Sequence, residues 1–170
     1  MYVTSRYDAL FQNSYITRDM DAALAHAERA LGLTGFNLSE PVVEILTYGR
    51  RESLAIKAAT LNIGRHQFEI IEPVSGPVGV YTDEVDLTGH ILNWHHVAIA
   101  VPGPYSEWQK LLAEVAETGD ELAFLCPAEP TPEDKVCFCY VDTRKRLGHY
   151  TEFLWWHESM VGVIPTIPNL

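Results

Sequence analysis

Phe11-Gln12-Asn13-Ser14-Tyr15-Ile16 and His95-His96-Val97-Ala98-Ile99-Ala100 are two versions of one opening. Each is a short run of alternating apolar residues followed by a segment with amphipathic helical spacing. Each is answered downstream by a second apolar run that carries a glutamate: Gln67-Phe68-Glu69-Ile70-Ile71 in the first half, Tyr150-Thr151-Glu152-Phe153-Leu154 in the second. Gln12 precedes Glu69 by 57 positions and His96 precedes Glu152 by 56. The halves are offset by 84 positions at the first pair and 83 at the second. Spacing this even marks an internal repeat, and a repeat constrains the fold before any single element does. Four polar residues at matching places, Gln12, Glu69, His96 and Glu152, are candidate metal ligands.

Working outward, a strand is expected at Leu10–Thr17, then a helix at Met20–Leu31 with Asp19 as N-cap and Gly32 closing it. Strands follow at Val42–Tyr48, Leu54–Leu61 and Gln67–Ile71, the last stopped by Pro73. The second half repeats the order: a strand at Trp94–Val101, a helix at Tyr105–Thr118, then strands at Glu121–Leu125, Val136–Asp142 and His149–Trp156. Both halves read β-α-β-β-β. The expected fold class is α+β, a single domain of two tandem βαβββ modules, 9–72 and 94–157. A connector at 73–93 joins them and a tail at 158–170 packs on the body or on a partner chain. A unit of this kind cannot cover both faces of its small sheet. Two therefore combine into a curved eight-stranded mixed sheet around an open groove, with helices outside. Strand alternation turns Gln12, Ser14, Glu69 and Glu152 to the groove and sends His95 the other way.

With 170 residues, 47% of them apolar and 21% charged, the chain has the make-up of one globular domain. A net charge of −11 repels phosphate backbones and anionic lipid, so neither nucleic acid nor membrane is an expected partner. The cations Arg50, Arg51, Lys57 and Arg65, and Arg144, Lys145 and Arg146, read as solvated turns and strand ends in preference to a site for an anionic tail, and Asp142 with Arg144 reads as a local ion pair near a turn. Cys126, Cys137 and Cys139 have no zinc or redox spacing and read as buried thiols in a reducing compartment. There is no basic leader followed by an apolar run, and no apolar stretch reaches about 18 residues. A cytoplasmic protein with a small-molecule substrate is expected.

The repeat resembles the vicinal-oxygen-chelate superfamily, which includes glyoxalase I, methylmalonyl-CoA epimerase, ring-cleaving dioxygenases and the bleomycin-resistance proteins. The resemblance spans residues 9–157 and rests on Phe11–Asp19, Phe68–Pro73, Trp94–Val101, Tyr140–Asp142 and Gly148–Glu152. It implies that Gln12, Glu69, His96 and Glu152 hold a divalent metal. The set resembles that of eukaryotic-type glyoxalase I, which favours zinc; nickel, cobalt, manganese and iron are the other candidates. The implied activity is a metal-dependent lyase or isomerase that moves a proton through a metal-bound enediolate on a substrate with vicinal oxygens. Glu152 or Glu69 would be its catalytic base.

Glyoxalase I carries an arginine and an asparagine four positions after its first and second ligands, for glutathione. Here Ile16 and Pro73 stand there, which argues against that substrate. The runs Glu69–Pro73 and Gly89–His96 look more like the epimerase branch. A metal-free small-molecule binder of the bleomycin-resistance type is the alternative. An iron dioxygenase ranks third, because Gln12 stands where such an enzyme needs a histidine. The superfamily commonly pairs, so a homodimer is expected.

Overall fold

In the computed structural model, which describes residues 4–83 and 85–160, nine strands and four short or medium helices form one body. Strand β1 (Leu10–Ile16) leads into α1 (Met20–His26), whose N-terminus is capped by Asp19: its side chain accepts the Ala22 N–H at 2.9 Å. The helix widens into a π turn over 27–31 and ends at Gly32, whose φ of +69° is the left-handed stop that glycine tolerates. Next come β2 (Asn37–Ser39), β3 (Val42–Thr47), β4 (Arg50–Ile63) and β5 (His66–Ser75). The connector contributes α2 (Gly79–Thr82). The second module comprises β6 (Asn93–Ala100), α3 (Tyr105–Thr118), β7 (Leu122–Cys126), β8 (Val136–Val141), α4 (Arg144–Leu147) and β9 (Tyr150–Trp156). The part of the tail at 161–170, with its expected docking, lies outside the described residues.

The β-α-β-β-β order holds in both halves, and α3 has the expected bounds. Two local expectations change. Strand β4 begins at Arg50 instead of the expected Leu54, because the turn from β3 needs only Tyr48 and Gly49, both at positive φ (45° and 77°), a tight hairpin whose twist matches its strands. Pro73 does not end β5: it pairs with Ile56 at a register shift, where a missing N–H is tolerated, and the strand runs on to Ser75.

The sheet order is β2-β4-β3-β7-β8-β9-β6-β1-β5, and β4 also pairs with β5. Because β2 and β3 lie end to end on the same side of β4, interrupted at Glu40-Pro41, the ring has eight strand positions. The curved mixed sheet is as expected; the groove is not open. Leu46 and Thr47 of β3 pair with Leu125 and Phe124 of β7, and that short seam closes the sheet on itself. Closure removes edge strands that would otherwise expose unpaired backbone.

The helices lie outside. Met20 and Ala23 of α1 pack on Ala59 and Ile70, and Trp108, Leu111 and Val115 of α3 pack on Ile99, Cys137, Cys139 and Phe153. One end of the interior is filled by Ile16, Ile71, Phe124, Tyr140, Tyr150 and Tyr81, the last inserted from α2.

Candidate active site in the barrel interior

Strand pairing explains how four residues, far apart in the chain, come to share one interior. β1 and β6 run antiparallel at the centre, with Gln12 opposite Ala98 and Ser14 opposite His96. Exchanging the two modules turns one of these pairs into the other, so a pseudo-twofold axis passes between the strands. On the flanks, β5 lies parallel to β1 with Glu69 beside Ser14, and β9 lies parallel to β6 with Glu152 beside Ala98. Each glutamate thus stands beside the residue two places after its module's first candidate ligand.

Glu69, His96 and Glu152 meet directly. His96 Nε2 is 3.4 Å from a Glu69 carboxylate oxygen and 3.2 Å from one of Glu152. His96 is wholly buried and the two glutamate side chains nearly so. Burial pushes the His96 imidazole down, but hydrogen bonds to Glu152 and Glu69 outweigh it and lift the ring to about 9. Burial raises the Glu152 carboxyl above the usual value; His96 opposes this and the Glu69 charge adds to it. The Tyr140 hydroxyl lies 3.4 Å from His96 Nε2. Burial lifts the Tyr140 and Tyr81 phenols well above their ordinary value, so both are neutral O–H groups.

Gln12 faces the same interior without touching the triad in this arrangement. Its amide N–H₂ donates to Gln67 Oε1, and Gln67 in turn donates to Asn62 Oδ1 at 3.4 Å. Gln12 Oε1 and the neighbouring Ser14 Oγ are buried without a hydrogen-bond partner among the described residues. A buried amide oxygen without a donor is costly, and its presence points to a group that it serves. Alternation had turned Ser14 to the groove without a role in the site, and it sent His95 to the wrong side.

The donor set of one amide oxygen, one imidazole nitrogen and two carboxylates fits a divalent cation in chemistry and charge. Among the described residues no three His, Cys, Asp or Glu side chains are already spread around a common point as ligands are; the protonated imidazole occupies the space between the carboxylates. At one end of the barrel lies a cleft of about 700 Å³, whose lining includes Tyr15, Trp94, His95, Arg144, His149 and Tyr150. His95 and Tyr150 connect it to the triad through ring contacts. Tyr140 and Tyr150 are interior, whereas Tyr15 stacks on Phe68 and Trp94 is 41% exposed. The three cysteines are buried, unpaired thiols; burial pushes Cys126 and Cys137 up to about 12 and raises Cys139 further.

No family model and no curated protein matches the chain. Among solved structures, the chain is similar to a Streptomyces coelicolor methylmalonyl-CoA epimerase variant in complex with 2-nitronate-propionyl-CoA (16% identity, TM-score 0.54, 87% of this chain and 96% of that one). It is similar also to a methylmalonyl-CoA epimerase in complex with methylmalonyl-CoA and NH4+ (16%, TM-score 0.53, 87% and 94%). A third likeness is to a hypothetical protein from Bacillus halodurans C-125 (19%, TM-score 0.52, 88% and 94%). The chain has the vicinal-oxygen-chelate fold in common with these epimerases. Among the described residues no helix is long and apolar enough to cross a membrane.

Proposed function

We propose that the chain is a metal-dependent isomerase or lyase that moves a proton at a carbon beside a carbonyl, on a small substrate with two adjacent oxygens. The observation that carries this reading is His96 held between two buried carboxylates of different modules, with a Gln12 oxygen that has no partner among the described residues facing the same interior. The likeness to epimerase structures supports the isomerase over the lyase. Gln12, Glu69, His96 and Glu152 would hold the ion, zinc first among the candidates, and the ion would polarise a substrate oxygen as a Lewis acid. Glu152 would move the proton; burial raises its carboxyl above the usual value. Glu69 would do the same from the other module. The Tyr140 hydroxyl is placed to donate to a developing negative oxygen, and the closed barrel excludes water from the reacting carbon.

The test is metal content of protein purified without chelator, beside His96→Ala. About one divalent ion per chain, lost in the variant, is expected; a parent protein that neither holds nor takes up a divalent metal would overturn the proposal.

A second reading has its own support. The triad is satisfied as an ion pair without any metal, which suits a metal-free binder of an apolar or aromatic molecule. Binding untouched by chelator and by His96→Ala would favour it. The assembly proposed is a homodimer, on the general prevalence of such pairs. All four candidate residues come from one chain, so the site does not depend on it, and sedimentation giving only monomer would dismiss the dimer.

A further inference from the structure

The pseudo-twofold makes the two ends of the barrel equivalent in backbone and leaves them unlike in filling. At the α2 end β1 finishes and β6 begins; at the far end β1 begins and β6 finishes. Strand pairing identifies equivalent residues. Tyr150 lies beside His96 as Gln67 lies beside Gln12, and Tyr140 lies opposite Glu152 as Thr60 lies opposite Glu69. Each central strand also carries a β-bulge at the same place. Where β1 advances one residue, from Ser14 to Tyr15, β6 advances two, from His96 to Trp94; where β6 advances one, from Ala98 to Ile99, β1 advances two, from Gln12 to Leu10. The extra residues are His95 and Phe11, and each bulge turns its ring into the barrel against alternation. His95 packs on Tyr81, Tyr140 and Tyr150, and Phe11 on Ala98, Ala100 and Trp156.

The α2 end is full. His95, Tyr140 and Tyr150 are each 3% exposed or less, and Tyr81 and Phe124 pack among them. The ring centres of His95 and Tyr140 stand 5.2 Å and 4.6 Å from that of His96. These rings separate His96 from the 700 Å³ cleft, so the cleft does not reach the carboxylates. The far end carries smaller or polar residues at the equivalent places: Thr60 for Tyr140, Gln67 for Tyr150 and Ala100 for Ile16. It also keeps contact with solvent. Thr60, Phe138, Leu154 and Trp156 are only partly buried, and the Glu69 side chain is 14% exposed against 7% for Glu152.

We propose that the substrate occupies the far end, between a polar side made by Thr60 and Gln67 of the first module and an apolar side made by Phe138, Leu154 and Trp156 of the second. The class of substrate is then a head with two adjacent oxygens that carries an aryl or alkyl group. The head lies among the four candidate ligands, beside the Gln12 oxygen and Ser14 hydroxyl that have no partner among the described residues. The apolar group lies against Leu154 and Trp156, which set its size. Only the head rests on the reading above; the choice of end rests on how the barrel is filled.

Ile71 beside Ile16 and Leu154 beside Ala100 are equivalent positions at opposite ends, so the experiment compares full-length Ile71→Cys and Leu154→Cys. Thr60→Cys is a second far-end variant, close to the parent in shape. Each is treated with methyl and benzyl methanethiosulfonate well below its melting temperature, and the parent with its three buried thiols sets the baseline. The far-end cysteines should react about 100-fold faster than Ile71→Cys. Equal rates, or a faster Ile71→Cys, overturn the inference. The zinc-loaded parent should bind benzohydroxamate about 10-fold tighter than acetohydroxamate by calorimetry. Benzyl labelling of Leu154→Cys should remove that preference, and Trp94→Ala, in the cleft at the α2 end, should leave it. No preference, or its loss in Trp94→Ala, overturns the apolar side. A parent that takes up no zinc defeats the metal reading, and the thiol rates alone then decide which end is occupied.

Discussion

Glu69 and Glu152 come from different modules and bring two carboxyl groups into one interior, where His96 is the partner that both of them meet. His96→Ala leaves two buried carboxylates without their partner, which is expected to cost about 3–5 kcal/mol in the metal-free protein. Glu152→Gln removes one of them with little change of shape. The double variant should therefore be clearly more stable than the sum of the single losses predicts, as urea unfolding of all four proteins would measure. Simple additivity would mean that the three groups do not act as a unit. That Gln12, Glu69, His96 and Glu152 face one interior was legible at this scale because alternation and repeat spacing both constrain it. His95 was not, because one inserted residue inverts the facing of a side chain, and an insertion leaves no mark in a polar–apolar pattern.

The turn from β8 through α4 shows what short elements add. Asp142, just past β8, accepts Arg144 Nε at 3.0 Å, Nη2 at 2.7 Å and the backbone N–H at 3.1 Å. The guanidinium also lies over the Tyr150 ring, 4.5 Å from its centre. These hydrogen bonds hold the Asp142 carboxyl below its ordinary value despite partial burial. A carboxyl depressed in the folded state stabilises above its unfolded pKa, and the contribution fades as pH falls through the folded value. Asp142→Asn should cost about 1 kcal/mol at neutral pH, and the difference should vanish below the usual carboxylate range. Unfolding curves at neutral and acid pH would check this; a difference independent of pH would assign it to shape instead of charge. The pairing of Asp142 with Arg144 was readable from proximity in sequence. The two-residue hairpin at Tyr48-Gly49 was not, since it places a tyrosine at positive φ, against local preference.

At the scale of the molecule, the pseudo-twofold between β1 and β6 makes the site a junction: its candidate ligands sit on β1, β5, β6 and β9, two from each module. An ion bound by all four would tie the modules together and favour only the folded chain. Zinc at about 100 times its dissociation constant should stabilise the protein by about 2.7 kcal/mol, a rise in Tm that chelator reverses and His96→Ala abolishes. No change in Tm with zinc would count against four-residue coordination.

By itself the sequence determined the two modules, the order of their main elements and which side chains of each regular strand face inward, but not the length of β4 and β5 or the presence of β2, α2 and α4. What it did determine follows from periodicity, capping and spacing, which are local. The tertiary structure alone decided that the sheet closes through β3 and β7, that Tyr81 enters the barrel from the connector, and that His95 turns in beside His96. Each of these depends on which strand edges meet and in what register. Pairing energy between distant segments sets that outcome, and it has no local signature in the chain.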